Sequence, residues 1–105
     1  MSDFSAKELL NQLGGNKFVV MTGAKNFLKD ERSLSFRIPK ALQGINYVKI
    51  SLNSMDTYDM EFGRIRNKAH SVVYYDYKVM AVVNDVYADQ LQEIFTEHTG
   101  LATHL

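Results

Sequence analysis

Cysteine is absent from the 105-residue sequence, which excludes disulfides, thiolate nucleophiles and thiolate metal ligands. The chain must therefore fold by packing alone, and its 46% of hydrophobic residues suffice for one core. We expect a single domain over residues 1–105. No apolar run approaches the roughly 18 residues of a membrane-spanning helix, and residues 1–13 lack the apolar core of a signal peptide. A cytoplasmic protein without a membrane partner is predicted.

Net charge is also lacking, because 12 basic and 12 acidic side chains cancel. The two signs are unevenly distributed, however. Residues 14–55 hold seven basic side chains against two acidic ones, whereas residues 69–105 hold one against five. Two interpretations stay open: the segments lie side by side and neutralise each other, or the first presents a basic face.

Residues 5–13 are predicted to form a short amphipathic helix. Ser5 can cap its first turn with Glu8 three residues on, and Gly14 follows its last turn. Three leucines recur at helical spacing: Leu9, Leu10 and Leu13.

Three segments, residues 34–38, 48–52 and 58–62, alternate apolar and polar side chains, which predicts strands with one hydrated face. Joining the last two through NSMDT, with Asn53 opposite Thr57, fixes their register. Apolar and polar pairs then sort to opposite faces: Val48 with Phe62, Ile50 with Met60, Leu52 with Tyr58, Lys49 with Glu61, and Ser51 with Asp59.

The same pairing argument applies to the neighbouring segments. If PKALQGIN connects the first two strands, Ile38 pairs with Val48 and Arg37 lies beside Lys49. At Gly63 the alternation breaks. A bulge there would return Ile65 to the core and turn two arginines outward, Arg64 and Arg66.

Lys17–Thr22 is predicted to be a further strand from its β-branched and aromatic content. Its apolar side chains would lie on both faces. The strand therefore either lies in the middle of the sheet with both faces covered, or contacts a partner through Val19 and Met21. A phosphate-binding loop around Gly23 and Lys25 is not favoured, because no second glycine and no helix follow at the required spacing.

Residues 71–83 are apolar and aromatic enough for a fifth strand or for a flap. Asn84 is predicted to cap a helix that runs to about His98 and ends at Gly100. Its core side chains would be Tyr87, Leu91, Ile94 and Phe95, and its acidic outer stripe Asp85, Asp89, Glu93 and Glu97.

The predicted fold class is therefore α+β. An N-terminal helix precedes an antiparallel meander of four to five strands, and a C-terminal helix follows it. Both helices are expected on one face of the sheet.

No catalytic residue, cofactor or metal site is predicted. His70, His98 and His104 lack the spacing of metal ligands. Asp59 and Glu61 share a strand face, as paired acids do, but Ser51 and Lys49 opposite them favour ordinary surface pairing. These two acids and the Lys25 turn are the only basis for a remote hydrolase-type alternative.

Two sets of candidate binding residues remain. A protein interface, possibly with a second copy of the chain, is predicted from exposed apolar and tyrosine side chains: Val19, Met21, Tyr74, Tyr75 and Tyr77. The alternative is single-stranded nucleic acid, bound by Lys25, Lys29, Arg37, Arg64 and Arg66 beside the tyrosines. No RNA-recognition signature accompanies these residues.

Five strings, MTGAKNF, LSFRIP, YVKISLN, TYDMEF and DVYADQLQEIFTEHTGL, resemble in sequence and order a family of small uncharacterised proteins encoded by bacteriophages and other mobile elements. The resemblance covers most of the chain. It implies an origin in a bacterial host and carries no catalytic residue with it. An accessory protein that acts by binding, either to a host or phage protein or to nucleic acid, is the function it suggests.

Overall fold

The computed structural model describes residues 4–39, 41–67 and 75–103. Over these residues the five strands form one antiparallel sheet in chain order. The predicted α+β meander between N-terminal and C-terminal helices is confirmed. The elements are α1 Ala6–Leu13, α2 Asn16–Thr22, β1 Lys25–Lys29, β2 Ser33–Arg37, β3 Tyr47–Leu52, β4 Tyr58–Asn67, β5 Tyr75–Val86 and α3 Leu91–Thr99, with 3-10 helices at Leu42–Gly44 and Ala88–Gln90.

Helix α1 follows its prediction. The Ser5 hydroxyl accepts a hydrogen bond from the Glu8 amide at 3.1 Å, and the chain leaves the helix at Gly14. Leu9 and Leu13 are fully buried.

The predicted strand at Lys17–Thr22 is wrong, because these residues form α2. Phe18 and Thr22, four residues apart, are both buried, and the Thr22 hydroxyl donates to the Phe18 carbonyl at 2.7 Å. Gly23 ends the helix in the left-handed conformation, with φ at 72°. Burial of one helical face outweighs the β propensity of the two valines.

The edge strand of the sheet is β1, in a segment where no strand was predicted. Its single half-buried side chain, Phe27, packs against Phe36 with ring centroids 5.3 Å apart. The sheet reaches five strands through this segment instead of through residues 17–22.

All three helices pack on one face of the sheet. Phe18 of α2 and Phe95 of α3 meet edge to face, with centroids 5.1 Å apart, and Phe36 of β2 contacts Phe18 at 5.5 Å. Around them lie fully buried leucines of α1 and α3 and the inward side chains of β3 and β4. The expectation that the helices share a face is confirmed.

The β3–β4 hairpin has the predicted register at every pair from Val48–Phe62 to Leu52–Tyr58. The predicted β2–β3 register is wrong by two residues. Phe36 lies opposite Val48, and Arg37 opposite Tyr47 instead of beside Lys49. A shift of two keeps every side chain on its face, so alternation alone could not detect it.

The predicted bulge at Gly63 is also wrong. Pairing with β3 continues without interruption through Gly63, so Ile65 lies on the face of Glu61 and not in the core. The extra residue belongs to β5: Phe62 pairs with Ala81 and Gly63 with Val79, which leaves Met80 between them.

The predicted helix start at Asn84 is too early. Strand β5 pairs with β4 as far as Val86, and Tyr87 is exposed where a core side chain was expected. The remaining core prediction holds at Leu91 and Phe95, both fully buried, and Gly100 ends α3 as predicted.

Phe18 and Val20 distinguish the helix from the strand, because they would share one face of a strand but are separated in α2. Phe18 is fully buried and Val20 is 79% exposed. We expect Phe18→Ala to lower the free energy of unfolding by about 3–5 kcal/mol and Val20→Ala by less than about 0.5 kcal/mol. Urea unfolding of both variants checks this, and similar losses at the two positions would contradict the helix.

Candidate binding surface

The face of the sheet opposite the helices, here called the open face, carries an apolar and aromatic patch. Its most exposed members lie on β5: Tyr77 is 42%, Val79 46% and Val82 53% exposed. Val79 pairs with Gly63 and Val82 with Glu61, so the patch continues onto β4. We call it the open-face patch, and it comprises Tyr47, Ile65, Tyr77, Val79 and Val82.

The centre of this patch is the Tyr77 ring, which lies across Gly63. A Cβ atom at Gly63 would stand only 2.6 Å from Cζ of Tyr77, so glycine is required for this close approach. Tyr47 meets the ring edge to face, with centroids 5.4 Å apart. The Tyr77 hydroxyl donates a hydrogen bond to the Glu61 carboxylate.

Burial raises the pKa of Tyr77 above its ordinary value of 10.0, and the hydrogen bond to Glu61 and its negative charge add to the effect. Burial also raises the pKa of Tyr58, with a smaller contribution from Glu8. Both phenols therefore stay protonated, and Tyr77 remains a neutral hydrogen-bond donor at physiological pH.

Asn46 holds β4 in place where the patch ends. Its side-chain amide donates to the Ile65 carbonyl at 2.9 Å, and its side-chain oxygen accepts from the Ile65 amide at 2.8 Å. The side chain thus supplies both hydrogen bonds that a further β3 residue would make. This fixes the backbone between Arg64 and Arg66.

The other end of the open face is acidic and polar. Asn53 donates to Asp59 at 3.1 Å and to Asp85 at 3.2 Å, and the Asp85 amide donates to Asp59 at 3.1 Å. The Thr57 hydroxyl lies in the same network. These contacts close the β3–β4 turn onto the end of β5.

The structure places the predicted protein-interface residues in different parts of the molecule. Val19 packs against the core, whereas Met21 and its neighbour Val20 line a shallow apolar depression on α2 with Asn16 and Lys17. Tyr77 lies at the centre of the open-face patch, Tyr75 is the first residue of β5, and Tyr74 falls outside the described residues. Val19 and Met21 are therefore not brought together with Tyr77.

The predicted nucleic-acid residues divide by position along the strands. Lys25 lies opposite Arg37, and the same row continues through Tyr47 to Gly63, beside Arg64. Four of the five cations thus lie toward one end of the sheet, but on two faces. Arg37 shares the open face with Tyr47, whereas Arg64 and its partner Lys78 have the parity of Phe62 and lie on the helix side. Lys29 is the exception, since it lies toward the acidic end, opposite Leu34.

Asp59, Glu61 and Lys25, the basis of the hydrolase alternative, do not converge on one site. Lys25 is on β1 and Glu61 on β4, three strand spacings or about 14 Å apart. Glu61 is bonded to Tyr77, and Asp59 to Asn53 and Asp85. Their backbone partners, Lys49 and Ser51, are those predicted.

The described ranges also hold no group of three metal-ligating side chains. His98 stacks on Phe62 with centroids 4.8 Å apart, and its Nδ1 lies 3.0 Å from the Ile94 carbonyl oxygen. His70 and His104 fall outside the described residues. None of the helices within the described part is long and apolar enough to span a membrane.

Sequence reasoning missed four members of these surfaces: Tyr47, Ile65, Val79 and Val82. The extra residue Met80 hides the alternation of β5, because Tyr77 and Val79 follow one parity and Val82 the other. Gly63 within an otherwise regular strand was the available signal, since such a glycine often receives an aromatic ring from the neighbouring strand.

A scan against protein-family models, a search of curated proteins and a search of solved structures each found no match for this chain. The resemblance to bacteriophage proteins stays a prediction.

The raised pKa of Tyr77 predicts a specific loss of stability in alkali. Above pH 10.0 the unfolded chain releases a proton that the native state keeps, so the stability present in full below this pH declines as pH rises toward the native pKa. Tyr77→Phe removes this component, and its unfolding free energy should fall less steeply above pH 10.0. Urea unfolding across the alkaline range measures both slopes, and equal slopes would contradict the assignment.

Gly63→Ala provides the matched test of the ring position. Gly63 has no positive φ, so alanine suits the backbone, but its methyl group displaces the Tyr77 ring. Tyr77 should then ionise closer to its ordinary pKa of 10.0. Phenolate absorbance, with Tyr77→Phe to identify the signal, measures the change. An unchanged titration would show that the ring does not rest on Gly63.

Proposed function

We propose that this chain is a non-enzymatic binding protein that recognises a protein partner through its open-face patch. The observation that carries the proposal is the exposure of Tyr77, Val79 and Val82 side by side on the uncovered face of the sheet. Contiguous exposed apolar surface rimmed by polar side chains is typical of protein interaction sites. Tyrosine is among the residues that contribute most to such interfaces.

The shape of the surface favours a macromolecular partner over a small substrate. Tyr47, Ile65 and Tyr77 line a shallow depression with Lys49 and Glu61, and the surrounding sheet face is open. Small-molecule sites bury most of their ligand in a concave pocket with converging polar groups. Here the one acid of the depression is already bonded to Tyr77.

A second copy of the chain is one partner whose charges would match this face. The open face is basic near Arg37 and acidic near Asp59 and Asp85. A two-fold axis across the strands would place each basic end over the acidic end of the other copy. A foreign protein of the host cell or of a phage is the other, in line with an accessory role of the mobile-element kind.

Aspartates in the patch should abolish partner binding. Val79→Asp with Val82→Asp puts two charges into the contact, and we expect at least about a thirtyfold loss of affinity, the scale of a single interface hot spot. Both side chains are half exposed, so the fold should persist. Sedimentation velocity at micromolar concentration measures self-association, and capture from host lysate with mass spectrometry measures foreign partners.

Val20→Asp is the control, because Val20 is an even more exposed valine and lies on α2 instead of on the open face. Circular dichroism confirms that all variants are folded. If Val20→Asp loses the partner while the Val79 and Val82 variant retains it, the binding surface is the α2 depression and the proposal is wrong.

A further inference from the structure

The two edge strands of the sheet differ in how they are protected. Strand β1 has five residues, a lysine at each end and an irregular register, and its Asn26 has a positive φ of 57°. Short length, lysine side chains and bulges are common means by which proteins keep an edge strand from pairing with another chain. β1 is therefore poorly suited to accept a further strand.

The opposite edge is β5, which is the longest strand in the described part of the chain. It runs for 12 residues, and within the described ranges β4 is its one neighbour in the sheet. Its middle is the apolar run VMAVV at residues 79–83, without proline and with Lys78 at one end. A long apolar edge strand offers a row of backbone N–H and C=O groups to another strand.

The helices leave the middle of β5 accessible. Ala81 and Val83 pair with inward-facing residues of β4 and therefore point to the helix side. Both are nevertheless only half buried. Val82, on the open face, is 53% exposed. Neither face of the strand is covered at this point, so another strand can approach its edge in the plane of the sheet.

Two irregularities interrupt β5, and they lie on either side of Val82. Met80 is the extra residue two positions before it. A second extra residue, Asn84 or Asp85, lies two or three positions after it, where the register with β4 shifts again. Asp85 has a positive φ of 58°, which is typical of a residue in a bulge. Val82 is thus near the centre of an almost symmetric strand.

A two-fold axis through Val82, perpendicular to the sheet, makes β5 complementary to itself. Val82 then lies opposite Val82 of a second copy and Ala81 opposite Val83, so that side chains on each face match. Met80 lies opposite Asn84. One extra residue therefore faces the other, and the register continues beyond them.

Other positions of the axis fit less well. An axis through Lys78 would oppose two lysines, and like charges directly opposite each other destabilise a sheet. An axis through Ala81 would set Val79, on the open face, opposite Val83, on the helix side. The axis through Val82 avoids both faults.

We propose that two copies of this chain pair through the free edges of β5, antiparallel and centred on Val82, so that the five strands of each copy form one continuous sheet. The helices of both copies then lie on one side, and the two open-face patches join across the axis. The pair forms through the backbone of β5 and leaves the open face uncovered. It therefore goes beyond the proposed protein partner, which would contact the joined patches.

Single cysteines test this register, because the chain has no cysteine of its own. Residues directly opposite each other in antiparallel strands have Cα atoms about 4.5–5.5 Å apart, a separation that a disulfide spans. Val82→Cys should therefore form a disulfide-linked dimer under a mild oxidant. Val79 would lie opposite Asp85, so two cysteines at position 79 would be about 20 Å apart along the strands and should not react.

Val79→Cys and Val20→Cys are the matched controls. Val79 is 46% exposed on the same strand, and Val20 is 79% exposed on α2. Val82→Cys should cross-link at least about tenfold faster than either, because a preformed pair raises the effective concentration of the second thiol. Circular dichroism confirms that the reduced variants are folded. Equal rates at the three positions, or faster cross-linking at Val79, would overturn the edge pair.

The unmodified chain supplies a second measurement. Sedimentation equilibrium should show a dimer, and amide hydrogen exchange in residues 81–83 should slow as the protein concentration rises. Exchange that stays constant while the protein dimerises would place the contact elsewhere and overturn the pairing. A monomer at every concentration would also overturn it, but would leave the proposed foreign partner of the open-face patch unaffected. Failure of this inference is therefore distinguishable from failure of the proposed function.

Discussion

Phe18 packs against both Phe36 and Phe95, and this contact sets which face of the sheet the helices cover. It joins α2, the sheet and α3 in one cluster, and it forms only because residues 16–22 are helical. Once the three helices are committed to one face of the sheet, the described chain has no helix for the other face. The open face, and with it the open-face patch, follows from this one-sided core.

On the open face, a single glycine determines how the exposed residues are arranged. Gly63 lets the Tyr77 ring lie flat on β4, where it reaches Glu61 with its hydroxyl and Tyr47 with its edge. The Glu61 carboxylate therefore bonds to a residue of β5 as well as lying opposite Lys49 of β3.

Much of the fold could be predicted from the sequence, and the errors have physical causes. The β3–β4 register was accessible because alternation and the NSMDT turn agree at five successive pairs. The β2–β3 register was not, since a shift of two leaves every side chain on the same face. Residues 17–22 were misassigned because six residues with apolar side chains on both faces suit a strand or a helix, and tertiary packing decided.

The binding surface was less predictable than the fold. Four of the five predicted cations lie toward one end of the sheet, but not on one face, because β4 has no bulge at Gly63 and Arg64 and Arg66 keep the parity of Phe62. Val79 and Val82 were hidden by the extra residue Met80, which changes the parity of β5. Val19 was assigned to an interface because the strand interpretation exposed it, whereas the helix turns it toward the core.

The helices bury one face of the sheet and leave the other exposed. Paramagnetic relaxation of valine methyl groups by a soluble gadolinium chelate measures this difference residue by residue. Val79, Val82 and Val20 should relax strongly, and Val48 and Val86, which are buried at the sheet–helix interface, should be protected. Protection of Val79 and Val82 in the monomer, at the level of Val48, would show instead that the sheet is covered on both faces.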